Sequence, residues 1–324
     1  MDNRKMDKND HRFNDFLTEQ NQTWKLSADN YRGLELVEEK TFQFDGFVIK
    51  VQFNPERMRS STAKVDQQSI AARKCFLCTE NRPAEQNSID MGNDFLLLVN
   101  PFPIFHTHFT IPSIHHIPQL LESSLEDLLR ISKQMEGYLL FYNGPECGAS
   151  APDHLHFQAG EAGFLPVESE FKYLSQTEGA LLYQSDHLRI WALDHYLRKM
   201  ISVETDSLQK GVDVIRYILT RFREIQPEKV EPMVNLLCSF TAGKWMLHLF
   251  PRKLHRPVQY FAEGDLQLMI SPASVDFGGV FITPRREDFD KIKPTDITNI
   301  FDQVTLDKEA FLTLTKSLTK YEAT

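Results

Sequence analysis

The sequence predicts an α+β protein built around an antiparallel sheet, on three observations. Residues 41–53 alternate apolar and polar side chains on either side of Asp45-Gly46, which is the pattern of a β-hairpin with a tight turn. Residues 117–140 carry apolar side chains at the spacing of an amphipathic helix. The extended segments around this helix do not alternate with helices one by one, which favours an antiparallel sheet over a βαβ series.

The other elements follow in chain order. Residues 1–40 are polar and rich in Asn and Asp, and we expect a loosely ordered lead-in. The apolar runs 95–99 and 105–111 are separated by Asn100-Pro-Phe-Pro and predict strand, loop and strand. Residues 150–160 predict a strand that is entered from a loop with Gly and Pro. The later patterns predict a helix at 207–225 and mostly strand at 235–251 and 266–284.

A repeated spacing predicts two diverged halves. Asn143 precedes His156 by thirteen residues, and Asn235 precedes His248 by the same interval. Each histidine also follows a leucine. We therefore divide the chain into the lead-in, a first half at 41–175 and a second half at 176–324.

The composition excludes several classes of protein. With 324 residues, 41% of them hydrophobic, the chain is long enough for a full core. A net charge of −9 argues against a general nucleic-acid binder, because affinity for the phosphate backbone rests on clustered Lys and Arg. Neither a secretory signal nor a membrane-spanning run is recognisable, so we expect a cytoplasmic protein whose partners are small phosphorylated molecules, as a monomer or homodimer.

The densest group of polar residues is His154-Leu-His156-Phe-Gln158. On a strand, alternate residues share a face, so the two histidines and the glutamine are expected to project to one side. Such a row suits phosphoryl chemistry, in which an imidazole attacks phosphorus and an amide donates to a phosphate oxygen. The alternative is a pair of surface histidines on an edge strand, which is the commoner origin of an isolated His-x-His pair.

Three features favour a site. The loop from Asn143 through Gly148, Ala149 and Ser150 is rich in small residues, whose backbone amides can approach a phosphate. Cys75-x-x-Cys78 has the spacing of thiolates that chelate zinc. A histidine pair follows a strand end at Pro112 and offers a further ligand. The four-ligand set predicted for a closed, structural zinc site is Cys75, Cys78, His115 and His154, with His116 as the rival to His115.

Taken together, the order of these motifs resembles the histidine triad superfamily. The resemblance rests on Cys75-x-x-Cys78, Asn100-Pro-Phe-Pro, the Thr107–Pro112 segment with His115, and the stretch from Asn143 to Gln158. It is to the transferase branch: galactose-1-phosphate uridylyltransferase, diadenosine tetraphosphate phosphorylase and the GDP-hexose phosphorylases. The fold that it implies is a HIT-like antiparallel sheet with packed helices.

The resemblance also implies roles for individual residues. His154 falls on a zinc ligand, His156 on the nucleophile that becomes a nucleotidyl-histidine, Gln158 on a phosphate contact and Asn100 on a ribose contact. The implied enzyme is a nucleotidyltransferase that acts on a nucleoside diphosphate sugar or a dinucleoside polyphosphate and passes the nucleoside monophosphate to phosphate or a sugar phosphate. Hydrolases of the superfamily usually carry a third His at the position of Gln158. An amide cannot move a proton to water, so transfer is expected rather than hydrolysis.

Two other classes stay open: a histidine triad hydrolase, and a zinc-stabilised nucleotide-binding protein without catalysis. The second half is expected to contribute substrate contacts, for which Lys244 and Arg252 are candidates because such cations bind phosphate. Arg59, Lys64 and Arg73 are further candidates before the cysteine pair. No partner that would make Cys147 a nucleophile is evident, and His108 is expected to be a core or surface residue.

Overall fold

The computed structural model describes residues 8–58 and 67–322. The strands are β1 (Glu38–Gln43), β2 (Val48–Phe53), β3 (Ile89–Gly92), β4 (Phe95–Val99), β5 (His108–Pro112), β6 (Tyr138–Asn143), β7 (His156–Glu161), β8 (Ala180–Gln184), β9 (Leu188–Leu193), β10 (Met200–Thr205), β11 (Val234–Thr241), β12 (Lys244–Pro251) and β13 (Val280–Thr283). The helices are α1 (Lys8–Thr23), α2 (Lys25–Gly33), α3 (Gln67–Ala72), α4 (Leu125–Gln134), α5 (Pro166–Thr177), α6 (Leu208–Arg223), α7 (Val258–Phe261), α8 (Ser274–Phe277), α9 (Arg286–Lys291), α10 (Pro294–Val304) and α11 (Lys308–Leu318).

A ten-stranded sheet forms the centre of the molecule. Its order is β3-β4-β5-β7-β6-β11-β12-β10-β9-β8, and every neighbouring pair is antiparallel. A smaller sheet joins the predicted hairpin, β1 and β2, to β13, which runs parallel to β2. The α+β class with an antiparallel sheet is therefore confirmed.

The large sheet has the same plan on both sides of the β6–β11 pair. Counted outward from this seam, β6, β7, β5, β4 and β3 on one side mirror β11, β12, β10, β9 and β8 on the other. Helix α4 precedes β6 as α6 precedes β11. The two asparagines of the repeated spacing, Asn143 and Asn235, lie opposite each other at the seam. The repeat expected from the sequence thus coincides with a repeated arrangement of strands.

Helices cover both faces of the sheet because its strands are apolar on both sides. On one face α4 and α6 pack through residues such as Leu128 and Ile215, which are fully buried. On the other face α5, α8 and α10 pack with the smaller sheet, through residues such as Phe277 and Phe301. Central strands such as β6 and β11 are buried on both faces and read as nearly continuous apolar runs, which explains the two layers of helix.

Several expected elements differ in detail. The lead-in is helical, and α1 buries Phe13 and Phe16 against Phe109, so its few apolar residues are enough to fix it to the sheet. The predicted helix at 117–140 is only ten residues long, because residues 116–120 have no regular structure, Glu122–Ser124 is a 3-10 turn and β6 begins at Tyr138. Of the expected strand 266–284, only β13 is strand.

The strand predicted at 150–160 begins only at His156. His154 therefore stands just before the strand, and the expectation that alternation places it beside His156 and Gln158 is corrected. In the part of the chain that the structure describes, no helix is long and apolar enough to cross a membrane.

Candidate active site and metal centre

A cavity of about 830 Å³ lies at the N-terminal end of β7, where the first half meets the segment around α8. The sequence-predicted residues on its wall are Asn100, Asn143, Gly148, Ala149, Ser150, His156 and Gln158. The structure thus brings together seven positions that lie between Asn100 and Gln158 in the chain. A cavity of this size can enclose a nucleotide.

His156 is the first residue of β7 and is only 3% exposed. Its Nδ1 donates to the carbonyl oxygen of His154 at 2.8 Å. Burial lowers the pKa of His156 to about 4, so the ring is neutral at physiological pH. With the proton held on Nδ1, the lone pair is on Nε2, which is the atom left for attack on phosphorus.

The side chain of Gln119 fixes the backbone of His156. Strands β6 and β7 pair from Tyr138/Glu161 to Phe141/Gln158, and their ladder stops there. Beyond that point the Gln119 amide accepts from the backbone N–H of His156 at 2.7 Å. It also donates to the carbonyl oxygens of His156 at 2.9 Å and Asn143 at 3.0 Å. Gln119 therefore replaces a peptide group between the splayed strands and bonds the backbone of His156 on β7 and of Asn143 on β6.

Gln158 is oriented by a histidine that lies outside the cavity wall. His108 is fully buried, and its Nδ1 accepts from the backbone N–H of Ile104 at 3.1 Å. Burial lowers the pKa of His108 to about 3, so the neutral ring carries its proton on Nε2 and donates it to Gln158 Oε1 at 3.1 Å. Asn100 also donates to this oxygen at 3.4 Å. Both hydrogen bonds occupy Oε1, so the N–H groups of the Gln158 amide are left to bind a ligand.

The loop from Asn143 to Ser150 is anchored from the second half. Asn143 Oδ1 accepts from Asn235 Nδ2 and from the backbone N–H of Ser274, both at 2.8 Å. Gly148 has a φ of +95°, and a Cβ there would lie 2.6 Å from the Cβ of Ala273, so only glycine allows this close approach. Burial raises the pKa of the Cys147 thiol to about 12, which agrees with the expectation that it is no nucleophile.

Four candidate metal ligands meet beside the cavity: Cys75, Cys78, His116 and His154, whose ligand atoms all lie within 4.8 Å of one another. Cys75 Sγ is 3.3 Å from His154 Nδ1, and Cys78 Sγ is 3.3 Å from His116 Nδ1. Around a tetrahedral zinc, sulfur and nitrogen ligands are about 3.6 Å apart, so this donor set fits zinc. Burial opposes ionisation of Cys75, but hydrogen bonds from His154 and from backbone N–H groups outweigh it and lower the pKa of the thiol to about 6.

Outer contacts orient both histidines toward the thiols. His154 Nε2 donates to the carbonyl oxygen of Ser113 at 2.8 Å, which leaves Nδ1 as the ligand atom. His116 Nε2 lies 3.7 Å from Asp153 Oδ2, and the other oxygen of Asp153 accepts from Arg73 at 2.7 Å. Since Arg73 also lines the cavity, the ligand cluster and the cavity share this ion pair.

Three predicted site residues are corrected. His115 is not in the ligand cluster; its exposed ring turns to Asp94, 3.3 Å away, while the next residue, His116, turns to the thiols. Lys244 is exposed at the start of β12 and pairs with Glu204, away from the cavity. Arg252 is fully buried behind the cavity wall, where it donates to Asn235 and to backbone carbonyl oxygens. Its N–H groups are occupied by hydrogen bonds within the protein, so it is a structural residue and not a substrate contact.

Arg59 and Lys64 lie outside the described residues. The sequence analysis missed Arg57, His255, Arg256 and Asp276, all of which line the cavity. No local pattern marks them, since they come from irregular segments or a one-turn helix. Gln119 was missed for the same reason, because its role exists only where two distant strands splay.

The chain is similar to several solved structures. The yeast Ap4A phosphorylase Apa2 in complex with AMP has a TM-score of 0.52 at 17% identity, over 88% of this chain and 97% of that chain. The same yeast enzyme in complex with Ap4A gives 0.51 at 17% identity, with the same coverage. A galt-like protein from Arabidopsis thaliana gives 0.40 at 15% identity, over 83% of this chain and 99% of that chain. No curated protein sequence matches the chain.

The chain therefore has the HIT-like fold that the resemblance in its sequence implies. More narrowly, two family models match consecutive parts of it. Residues 16–161 match the "Domain of unknown function (DUF4922)". Residues 172–323 match the "GDPGP1-like, C-terminal domain".

Proposed function

We propose that the protein is a phosphorylase-type nucleotidyltransferase in which His156 carries the nucleoside monophosphate between two substrates. The observation that carries the proposal is the state of His156: a buried, neutral imidazole on a cavity wall, with its proton held on Nδ1 by the carbonyl oxygen of His154. An unprotonated Nε2 is the requirement for attack on phosphorus.

The reaction has two displacements. Nε2 of His156 attacks the α-phosphorus of a nucleoside diphosphate sugar or dinucleoside polyphosphate, and the bond to the distal phosphate oxygen breaks with its electron pair. In the second displacement an oxygen of the acceptor phosphate attacks, and the P–N bond returns its electron pair to Nε2. Throughout, Nδ1–H keeps its bond to the carbonyl oxygen of His154, which stabilises the positive charge on the substituted ring.

Gln158 supports transfer over hydrolysis. Its N–H groups can donate to an oxygen of the pentacoordinate phosphorus, because its Oε1 is occupied by His108 and Asn100. An amide takes no proton from water, so this position does not activate a water molecule. An incoming phosphate is already an anion and needs no such base.

The cluster of Cys75, Cys78, His116 and His154 would hold zinc in a structural role. Bound there, zinc would cross-link the segments that carry these four residues. Because His154 also supplies the carbonyl oxygen that binds His156, the cluster positions the nucleophile through the backbone. No reacting atom needs to touch the metal.

The substrate class is narrower than all nucleotides. The yeast relative of the same fold was solved with AMP and with Ap4A, and the family resemblance in the sequence includes GDP-hexose phosphorylases. Ap4A and a GDP-hexose each carry a nucleoside monophosphate joined to a further phosphate, and the two-step route exchanges that bond.

The test is the intact mass of the protein after mixing with GDP-hexose, UDP-hexose, ADP-hexose or diadenosine tetraphosphate, with no acceptor present. We expect a gain of one nucleoside monophosphate with one of them, lost again when phosphate is added. His156→Ala should show no gain. His187→Ala, which removes an exposed histidine paired with Asp206, is the matched control and should load normally.

The alternatives give other results. Free nucleoside monophosphate released without an acceptor would indicate a hydrolase. A protein that binds the nucleotides equally well with and without His156, and forms no adduct, would be a binding module.

A further inference from the structure

A second group of phosphate-binding side chains lines the cavity from the second half. After β12 the chain turns back, and His255 and Arg256 face the same cavity as His156. Ser271, just before α8, joins them, and its Oγ accepts from Arg256 Nε at 3.0 Å. The guanidinium of Arg256 also lies over the ring of Tyr260, 4.2 Å from its centroid. These contacts fix the direction of the arginine.

This group is adjacent to the loop that carries Gly148. A Cβ placed on Gly148 would lie 2.6 Å from the Cβ of Ala273 and 3.7 Å from the carbonyl oxygen of Pro272, so the loop runs close to this segment. Ser271 directly precedes Pro272 and Ala273, which are the residues nearest to Gly148. A phosphate bound at the loop would have the Ser271 segment as its neighbour.

The charge of the wall favours an anion. Among the described residues that line the cavity, three are arginines, Arg57, Arg73 and Arg256, of which Arg73 is paired with Asp153, and the one carboxylate is Asp276. Asp276 is already used, since it accepts from the backbone N–H groups of Ala273 and Ile282. Such a concentration of cations is notable in a chain with a net charge of −9.

His255 can serve as a neutral donor. Burial and the nearby charges of Arg256 and Arg252 lower its pKa to about 3, so its ring carries a single N–H at physiological pH. Arg252 holds the backbone at this point, because its Nη2 donates to the carbonyl oxygens of Leu254 and His255 at 2.9 Å. The buried Arg252 thus fixes the backbone of this segment, and the side chains of His255 and Arg256 face the cavity.

We propose that Arg256, Ser271 and His255 form the subsite for the phosphate of the acceptor, either inorganic phosphate or the phosphate of a sugar phosphate. Ser271 accepts from Arg256 and so keeps its own hydroxyl hydrogen for a phosphate oxygen. The guanidinium supplies the charge, and together they hold a dianion facing the nucleotidyl group on His156. This inference rests on the proposed function, and it assigns to the second half the acceptor side of the reaction.

The first experiment measures the second displacement alone. Protein is loaded to completion with the donor that gives an adduct, freed of excess donor, and mixed with rising concentrations of inorganic phosphate or glucose 1-phosphate. Intact mass follows the loss of the adduct. For Arg256→Gln we expect the concentration for half-maximal discharge to rise about 10- to 100-fold, with a smaller rise for Ser271→Ala. The arm that discharges wild-type protein names the source of the phosphate.

Arg256→Lys and Arg286→Gln complete the set. The lysine retains the charge and should recover part of the loss, whereas Arg286 pairs with Glu38 on the surface and its variant should behave as wild type. Equal phosphate dependence in Arg256→Gln and wild type would overturn the subsite while leaving the nucleotidyl-histidine route intact.

The second experiment needs no adduct. Inorganic phosphate should raise the melting temperature of wild-type protein above that in chloride of the same ionic strength, and Arg256→Gln and Ser271→Ala should lose most of this shift. If no donor loads His156 but phosphate still stabilises the protein through Arg256, the proposed function fails and the anion subsite stands. A shift that is unchanged in both variants would contradict the subsite.

Discussion

Replacing Gln119 with leucine tests how the start of β7, at His156, is held. The two side chains have similar volume, so the change leaves little cavity and removes mainly three hydrogen bonds. Lost are the bond from the backbone N–H of His156 at 2.7 Å and those to the carbonyl oxygens of His156 and Asn143 at 2.9 and 3.0 Å. Gln119 is fully buried, so water does not replace these bonds in a well-packed interior.

The expected cost follows from those three groups. Each buried backbone group left without a partner costs about 1–3 kcal/mol, and since neighbouring losses do not add fully, we expect about 3–6 kcal/mol for the variant. That is a large part of the roughly 5–15 kcal/mol by which a domain is stable.

Denaturant unfolding of wild type, Gln119→Leu and Gln134→Leu measures the difference. Gln134 makes one backbone bond, to the carbonyl oxygen of Met91, on the solvent side of α4, and its loss should cost about 1 kcal/mol or less. If Gln119→Leu unfolds within 1 kcal/mol of Gln134→Leu, the amide does not bridge the two strands, and the account of how His156 is positioned fails.

Three further predictions concern the site. The pKa of His156 is lowered to about 4, so its Nε2 stays unprotonated above that value. The rate of adduct formation in a single turnover should therefore be constant from pH 8 to 6 and fall as the pH approaches 4. A fall centred near pH 6.5 would mean that the ring is exposed to solvent. We expect elemental analysis to find about one zinc per chain in the wild type and in His115→Ala and to find none in His116→Ala; the opposite pattern would restore the sequence-based ligand set. Gly148→Ala should cost about 2–4 kcal/mol in chemical unfolding, because a Cβ would lie 2.6 Å from Ala273 at a φ of +95°. Gly163→Ala has a similar φ of +87° but open space and should cost only about 1 kcal/mol, and equal losses would show that the loop does not touch Ala273.

Local pattern was enough for the fold class and for most of the first half. The hairpin around Asp45-Gly46 follows from alternation and turn residues, and the strand character of 235–251 from its local pattern, both of which act over a few positions. Contiguous motifs likewise located His156, Gln158 and the 148–150 loop on one cavity wall. The equal spacing of Asn143–His156 and Asn235–His248 indicated the repeated arrangement of strands before any fold was known.

The wrong predictions share a physical cause, because the direction in which a side chain points depends on tertiary contacts. Adjacent histidines at 115 and 116 differ only in which side of an irregular segment they occupy, and no sequence rule states this. Arg252 and Arg256 are both cations after β12, yet one is buried among carbonyl oxygens and the other faces the cavity. The helical lead-in was missed because its stability comes from Phe13 and Phe16 packing on Phe109, not from its own polar sequence.

The seam between β6 and β11 limits how this chain can be divided. Every residue of β6 is buried, and β11 hydrogen-bonds one of its edges along Leu139 to Asn143. A fragment that stopped after the first half would present that apolar edge to solvent, with its N–H and carbonyl groups open to pair with another chain. Expressed alone, such a fragment would aggregate even though it holds the nucleophile and the ligand cluster. Neither half is a portable module, and recombination or truncation would have to preserve both together.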